Sequence, residues 1–123
     1  MKNLLIIFFV LGITISCTKN KKFDSHQWKY SYKGEGHFYF DREVMLQDLI
    51  KGNYLTNKHQ EEIIELLGKP DIQSNNPQYE LAYTIEIEWG KSLAPEPVYS
   101  KSLIVLLDKN FVFKDYKIVE WEK

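Results

Sequence analysis

Apolar residues in the last third of the chain recur with the period of a β-strand. In residues 80–89, five apolar side chains alternate with five small or polar ones, as expected of a strand with one buried face. Residues 102–107 form an apolar run that suits a strand covered by neighbours, and the tight-turn sequence Asp108-Lys109-Asn110 follows it. The pattern predicts strands over about 80–89, 101–108 and 111–120.

The middle of the chain has a helical period. Two apolar pairs four residues apart predict a helix over 41–51 with Asp41 as its N-cap, ending before Gly52-Asn53. The pairs are Met45/Leu49 and Leu46/Ile50.

A second helix is predicted over about 57–67, with Thr56 or Asn57 as its cap. Gly68 suits the left-handed residue that ends a helix, and Pro70 prevents continuation. Its buried side is formed by Ile63, Ile64, Leu66 and Leu67. Because both helices are short, they need a sheet to pack on. The order predicts an α+β domain over 41–123: two helices packed on a three-stranded antiparallel sheet in two layers.

The N-terminal sequence indicates export. A charged start at Lys2 precedes an apolar stretch over 4–15, Ser16 is small, and Cys17 follows directly. This is the organisation of a secretory signal peptide, and it is too short for a stable membrane span. A cysteine at this place is similar to a bacterial lipoprotein signal, which implies cleavage between Ser16 and Cys17 and acylation of the Cys17 thiol. Residues 1–16 are then a signal peptide.

Residues 17–27 are expected to be the lipidated N-terminus and a flexible tether. Residues 28–40 are rich in aromatic side chains and are interpreted as an aromatic arm or small hairpin. Aromatic residues are enriched in binding hot spots, but they also cover core edges, and both interpretations stay open. The candidate partner-binding residues are Trp28, Tyr30, Tyr32, Phe38 and Phe40, with Tyr39 beside them.

Composition limits the classes of function. The net charge of −1 gives no large positive field for nucleic acid. Cys17 is the only cysteine, so its acylation would leave no thiol for disulfides, thiolate metal sites or cysteine catalysis.

Candidate chemistry is sparse. The three histidines, His26, His37 and His59, have no metal-ligand spacing, and no metal or cofactor is expected. Glu86 and Glu88 mimic paired carboxylates, but alternation predicts that they project into water with Glu80 nearby. No nucleophile elbow or phosphate-binding glycine loop is present, so no catalytic residue is assigned.

The segment Glu61-Glu62-Ile63-Ile64-Glu65-Leu66-Leu67-Gly68-Lys69-Pro70-Asp71 resembles the "EEV..LLG.PD" segment of the SmpA/OmlA/BamE-like small outer-membrane lipoproteins. An Arg42-x-x-Met45-x-x-Asp48-Leu49 helix precedes it, and Leu103 to Tyr116 resembles the "L.V.LD.N..V..Y" ending. The chain departs from the family pattern at Asn57-Lys58-His59. The resemblance implies a helix–helix–sheet fold and a small, non-catalytic scaffold at the outer envelope.

The expected function is therefore a lipid-anchored, non-catalytic binding or scaffold module, with outer-membrane assembly or maintenance as the process that the resemblance suggests. Its expected partners are the membrane, through the lipid, and an envelope protein, at the periplasmic face of the outer membrane. The alternatives are a small envelope hydrolase and an inhibitor or immunity-type lipoprotein.

Overall fold

In the part of the chain that the structure describes, three helices precede an antiparallel sheet of three strands with the order β1-β2-β3. The computed structural model describes residues 20–30, 40–91 and 93–123. The elements are α1 Ser25–Lys29, α2 Phe40–Lys51, α3 Gln60–Leu67, β1 Glu80–Trp89, β2 Pro97–Leu107 and β3 Phe113–Glu122. The predicted α+β class, with helices packed on a three-stranded antiparallel sheet, is confirmed.

The helices and one face of the sheet, here called the helix face, enclose the core. Ile63 and Leu67 of α3 are fully buried as predicted, whereas Ile64 and Leu66 are half-buried at the core edge. The other large side chains with less than 2% exposure are Trp28, Met45, Leu49, Tyr83, Ile85, Leu103 and Val105. These residues come from α1, α2, β1 and β2, so α1, which precedes the predicted domain, belongs to the folded unit.

The described part of the expected tether is docked on α2. The Lys21 N–H donates to the Val44 carbonyl (2.7 Å), and the Phe23 N–H donates to Asp48 Oδ2 (2.7 Å). The hydrogen bond from the Phe23 N–H, together with a second one that Tyr54 Oη donates to Asp48 Oδ2, lowers the pKa of Asp48. The prediction of a flexible tether is therefore wrong for residues 20–27, because buried Phe23 and these hydrogen bonds hold them.

Residues 28 and 29 belong to α1, so the predicted arm or hairpin is wrong for them. Asp24 caps α1 by accepting from the Gln27 N–H (3.1 Å). Ser25 Oγ and Lys29 Nζ donate to the carbonyls of Leu66 and Glu65. Two terminal carbonyls of α3 thus gain partners from α1, which ties the two helices together.

Both helix starts differ from their predicted positions. α2 already includes Phe40, so Asp41 lies in its first turn and is not its N-cap. α3 begins at Gln60, with His59 as N-cap and the His59 N–H donating to Glu62 Oε1 (3.0 Å). Asn57 has a φ of +62°, whereas an N-cap is extended, so Asn57 belongs to the preceding turn.

Gly68 ends α3 with a φ of +84°, which confirms the predicted positive φ. A Cβ at this position would also lie 3.3 Å from Lys29 Cγ. Conformation and space therefore both favour glycine.

The β2–β3 connection is longer than the predicted tight turn. Asp108 organises it by accepting at Oδ1 from the N–H groups of Asn110 and Val112. Phe111 adopts a φ of +63°, and β3 begins only at Phe113. β2 begins earlier than predicted, at Pro97.

A bulge in β1 changes which face its residues occupy. Thr84 pairs with Ser102 but Glu86 pairs with Lys101, so Ile85 is an extra residue. Paired residues share a face, and Lys101 reaches Glu43 of α2 at 3.2 Å. Glu86 therefore lies half-buried on the helix face, and the prediction that it projects freely into water is wrong. Glu88 is exposed, as predicted.

Candidate binding surface

The second face of the sheet, here called the outer face, carries apolar side chains that reach solvent. Val119 and Trp121 of β3 and Ile72, which follows α3, are 42%, 48% and 36% exposed. The large sheet side chains with less than 2% exposure, Tyr83, Ile85, Leu103 and Val105, lie on the opposite, helix face. On the outer face the paired Ala82 and Ile104 are buried, whereas Val119, Trp121 and Ile72 leave apolar surface in solvent.

A shallow groove of about 560 Å³ runs across this face. It is lined by Ile72, Thr84, Ile87, Ser100, Ser102 and Trp121, with Pro97 and the Lys123–Glu96 ion pair (3.0 Å) at one end. None of these lining residues belongs to a described helix. Ile87 reaches the groove because the bulge at Ile85 reverses the alternation of β1. Apolar walls with a few hydroxyls and a charged end suit a protein segment better than a charged small molecule.

The two edges of the sheet differ. At the β1 edge, the Ala82 carbonyl accepts from the N–H groups of Asp71 and Ile72, and the Thr84 N–H donates to Asp71 Oδ1. Arg42 Nη1 donates to the Thr84 carbonyl (2.9 Å). At the β3 edge, no strand is paired in the described part of the chain. One edge is therefore covered, while β3 is the edge open to a partner.

Arg42 and Asp71, both within the segments that resemble the small-lipoprotein family, meet in a mostly buried ion pair of 2.5 Å. Arg42 Nε also donates to the Trp28 carbonyl, and its guanidinium lies 5.2 Å from the Trp28 ring centre. Burial raises the pKa of the neighbouring Tyr83 well above its usual range, and its hydroxyl donates to the Gly68 carbonyl. Each of these contacts joins elements of the domain to one another, which indicates a structural role for the cluster.

A second charged group lies at the bulge end of the helix face. Burial, followed by the charges of Glu43 and Glu88, raises the pKa of Glu86, although Lys101 opposes this. Lys101 is already paired with Glu43. The arrangement gives one half-buried carboxylate whose pKa is raised, with the carboxylates of Glu43 and Glu88 near it.

The predicted partner-binding aromatics separate in the structure. Trp28 is fully buried, which contradicts its assignment as a surface contact and supports the alternative that it is core. Tyr30, at the end of α1, is 71% exposed and rests against His26 with ring centres 4.7 Å apart. Phe40 is the first residue of α2. Tyr32, Phe38 and Tyr39 lie outside the described residues, as do Ser16 and Cys17.

Sequence reasoning missed the outer face. Val119 and Trp121 stand at alternate positions of β3, and this apolar spacing was a usable signal. Ile87 was not identifiable in the same way, because strict alternation assigned it to the core face and only the bulge moves it out.

The two described histidines lie on different helices, with His26 in α1 and His59 at the N-cap of α3. His37 lies outside the described residues. Within the described ranges, no group of three or more His, Cys, Asp or Glu side chains is placed to hold a metal ion. None of the described helices has the length and apolarity needed to cross a bilayer.

No family model, curated protein or solved structure matches this chain. The resemblance to the SmpA/OmlA/BamE-like lipoproteins therefore stays a prediction from the sequence motifs.

Proposed function

We propose that this protein is a lipid-anchored, non-catalytic binding module of the cell envelope. Its partner is an envelope protein, and its contact surface is the outer face of the sheet, centred on Trp121. The observation that supports this most is the groove, where apolar side chains remain exposed although the opposite face forms a complete core.

The chemistry of the groove favours a protein segment as the occupant. Tryptophan is among the residues most enriched in binding hot spots, and Trp121 lies half-exposed at the groove wall. Ser100 and Ser102 supply hydroxyls beside it, and the Lys123–Glu96 pair supplies charge at the rim. An apolar centre with a polar rim is the organisation of a protein interface.

The sequence supports the anchor and the compartment. The apolar stretch, Ser16 and Cys17 together match what acylation and cleavage require, and the lone cysteine stands at the required position. An anchored domain meets envelope partners at a high effective concentration, so a modest interface can suffice. Replacing Cys17 by Ala should abolish fatty-acid labelling and move the protein out of the membrane fraction.

Site-specific photo-crosslinking in cells tests the surface. A photoreactive residue in place of Ile72, at the groove rim and away from β3, should give one heterologous adduct of defined mass. Adding Trp121→Ala should reduce the adduct at least about fivefold. The matched control places the same residue at Glu61, an exposed position on α3.

Equal adducts from the two positions, or none from position 72, would contradict the assignment of the outer face. An adduct that survives Trp121→Ala unchanged would exclude the tryptophan as its centre. Thermal melting of each variant must stay near that of the unmodified protein, which separates loss of contact from loss of fold.

A further inference from the structure

The open edge of β3 has a defined backbone polarity. The Lys123 N–H donates to the Val98 carbonyl of β2 (3.0 Å), in register with the β2–β3 pairing. The Tyr116 N–H instead donates to Asp115 Oδ1 (2.8 Å), outside the strand ladder. In an antiparallel strand, consecutive residues direct their N–H and C=O groups to opposite sides. Odd-numbered residues of β3 therefore bond to β2, and even-numbered residues from Tyr116 to Glu122 face the free edge.

This free edge contrasts with the β1 edge, where Asp71, Ile72 and Arg42 occupy the outward groups of Ala82 and Thr84. The backbone groups at the free edge of β3 belong to Tyr116, Ile118, Glu120 and Glu122. Among the hydrogen bonds of the described residues, one involves these groups, from the Tyr116 N–H to Asp115 Oδ1. A row of such groups is a template for strand pairing.

We propose that β3 pairs antiparallel with β3 of a second copy of this chain, joining two three-stranded sheets into one of six strands. The interface is isologous, with a twofold axis perpendicular to the sheet at Val119. Both outer faces then lie on the same side of the joined sheet.

The sequence of β3 selects this register. The even-numbered residues of one β3 must lie opposite even-numbered residues of the other, because only these have backbone groups at the free edge. This condition allows the twofold axis to pass through any single residue from 117 to 120, but not between two residues. An axis at Lys117 or Glu120 would place like charges directly opposite each other, which is destabilising. An axis at Ile118 leaves three outward pairs, whereas an axis at Val119 gives four, within the regular strand beyond the β2 bulge at Leu106/Leu107.

The side chains are also complementary in this register. Val119 meets Val119 of the second copy, and Lys117 lies opposite Trp121, a cation–π combination. On the helix face, Glu122 lies opposite Tyr116 and Glu120 opposite Ile118, so no like charges oppose one another. The pairing would cover the exposed apolar area of Val119 and Trp121 at the β3 side.

Disulfide trapping tests the register. Non-hydrogen-bonded residues opposite each other in antiparallel strands have Cα atoms about 4.5 Å apart, within the range of a disulfide. In the full chain carrying Cys17→Ser, kept in mild detergent, Val119→Cys should give mostly disulfide-linked dimer on mild oxidation. Lys117→Cys and Glu61→Cys should each give at least about tenfold less.

A charge complementation experiment tests association without a covalent bond. In the same Cys17→Ser background, Val119→Lys and Val119→Glu should each raise the dimer Kd at least about tenfold in sedimentation equilibrium, because each places like charges at the axis. An equimolar mixture of the two variants should restore dimer formation, now as a heterodimer. Circular dichroism melting checks that both variants remain folded.

A monomeric wild-type chain at all concentrations would overturn the proposal, as would equal trapping at positions 117 and 119. Failure of the mixture to associate would also refute the axis at Val119. The dimer requires the free β3 edge, whereas the adduct at position 72 requires the groove, and Trp121 is common to both surfaces. A heterologous adduct at position 72 without dimer formation would therefore leave the proposed function intact. Dimer formation without that adduct would support the dimer and contradict the proposed function.

Discussion

Two tryptophans on opposite sides of the sheet show how differently this fold treats its two faces. Trp28 of α1 is completely buried on the helix face, with the Arg42 guanidinium over its ring and Phe23 5.9 Å away. Trp121 of β3 is half-exposed on the outer face beside the groove. The same side chain is therefore structural in one place and available for contact in the other.

The difference follows from the order of elements along the chain. The three described helices precede the sheet, and they contribute their buried residues to the helix face. None of the residues that line the groove on the outer face belongs to a described helix. A two-layer domain built in this way buries one face of its sheet under helices and leaves the other face without a helical cover.

The largest expected effect comes from exchanging each tryptophan for alanine. Trp28→Ala should lower the free energy of unfolding by about 3–5 kcal/mol, because it removes a fully buried ring and leaves a cavity. Trp121→Ala should cost about 1 kcal/mol or less, since its ring is half in solvent. Urea unfolding followed by circular dichroism measures both. Similar losses for the two variants would mean that the outer face is part of the core.

Two ion pairs sharpen the same contrast. Arg42→Ala should lower the free energy of unfolding by about 3 kcal/mol, because it leaves Asp71 and the Trp28 carbonyl without their mostly buried partner. Lys123→Ala breaks the exposed pair with Glu96 and should change it by less than about 0.5 kcal/mol. The measurement is again urea unfolding at neutral pH. An effect of Lys123→Ala as large as that of Arg42→Ala would contradict the assignment of the two faces.

The smallest expected effect concerns Glu86, which the bulge places on the helix face. Its pKa is raised in the folded protein from the usual 4.5, chiefly by burial. The folded state then binds more protons than the unfolded state, so its contribution is full below about pH 4.5 and is lost as the pH rises through the folded pKa. Glu86→Gln should therefore stabilise the protein at pH 7 relative to wild type and have little effect at pH 3.5.

Unfolding curves across this pH range measure the difference, and Glu96→Gln on the outer face is the matched control. A stabilisation by Glu86→Gln that is the same at both pH values would show that titration of this carboxylate is not its cause.

Much of the fold was predictable because its determinants are local. The alternation in 80–89, the apolar pairs of α2 and the Leu66-Leu67-Gly68 ending of α3 each depend on neighbouring residues. The class and the approximate strands followed from these patterns. The burial of Trp28 was left open, because an aromatic cluster in sequence carries no information on whether a core pocket receives it.

The features that were missed depend on tertiary contacts. The bulge at Ile85 depends on the register between β1 and β2, and it reversed the expected side of Glu86 and Ile87. Docking of residues 20–27 depends on Asp48, which is 25 residues from Phe23, and on Val44, which is 23 residues from Lys21. The candidate groove combines Ile72, Ile87 and Trp121 from distant positions, so only its β3 part had a sequence signal.

The hydrogen bond from Lys21 to Val44 fixes how freely the domain can move on an anchor. From Cys17 to Lys21 the chain advances four residues, which span at most about 14 Å when fully extended. If Cys17 is acylated as proposed, this short linker would hold α2 close to the lipid headgroups and limit rotation of the domain. The groove, on the opposite side of the sheet, would then point away from the bilayer towards the aqueous space of the envelope.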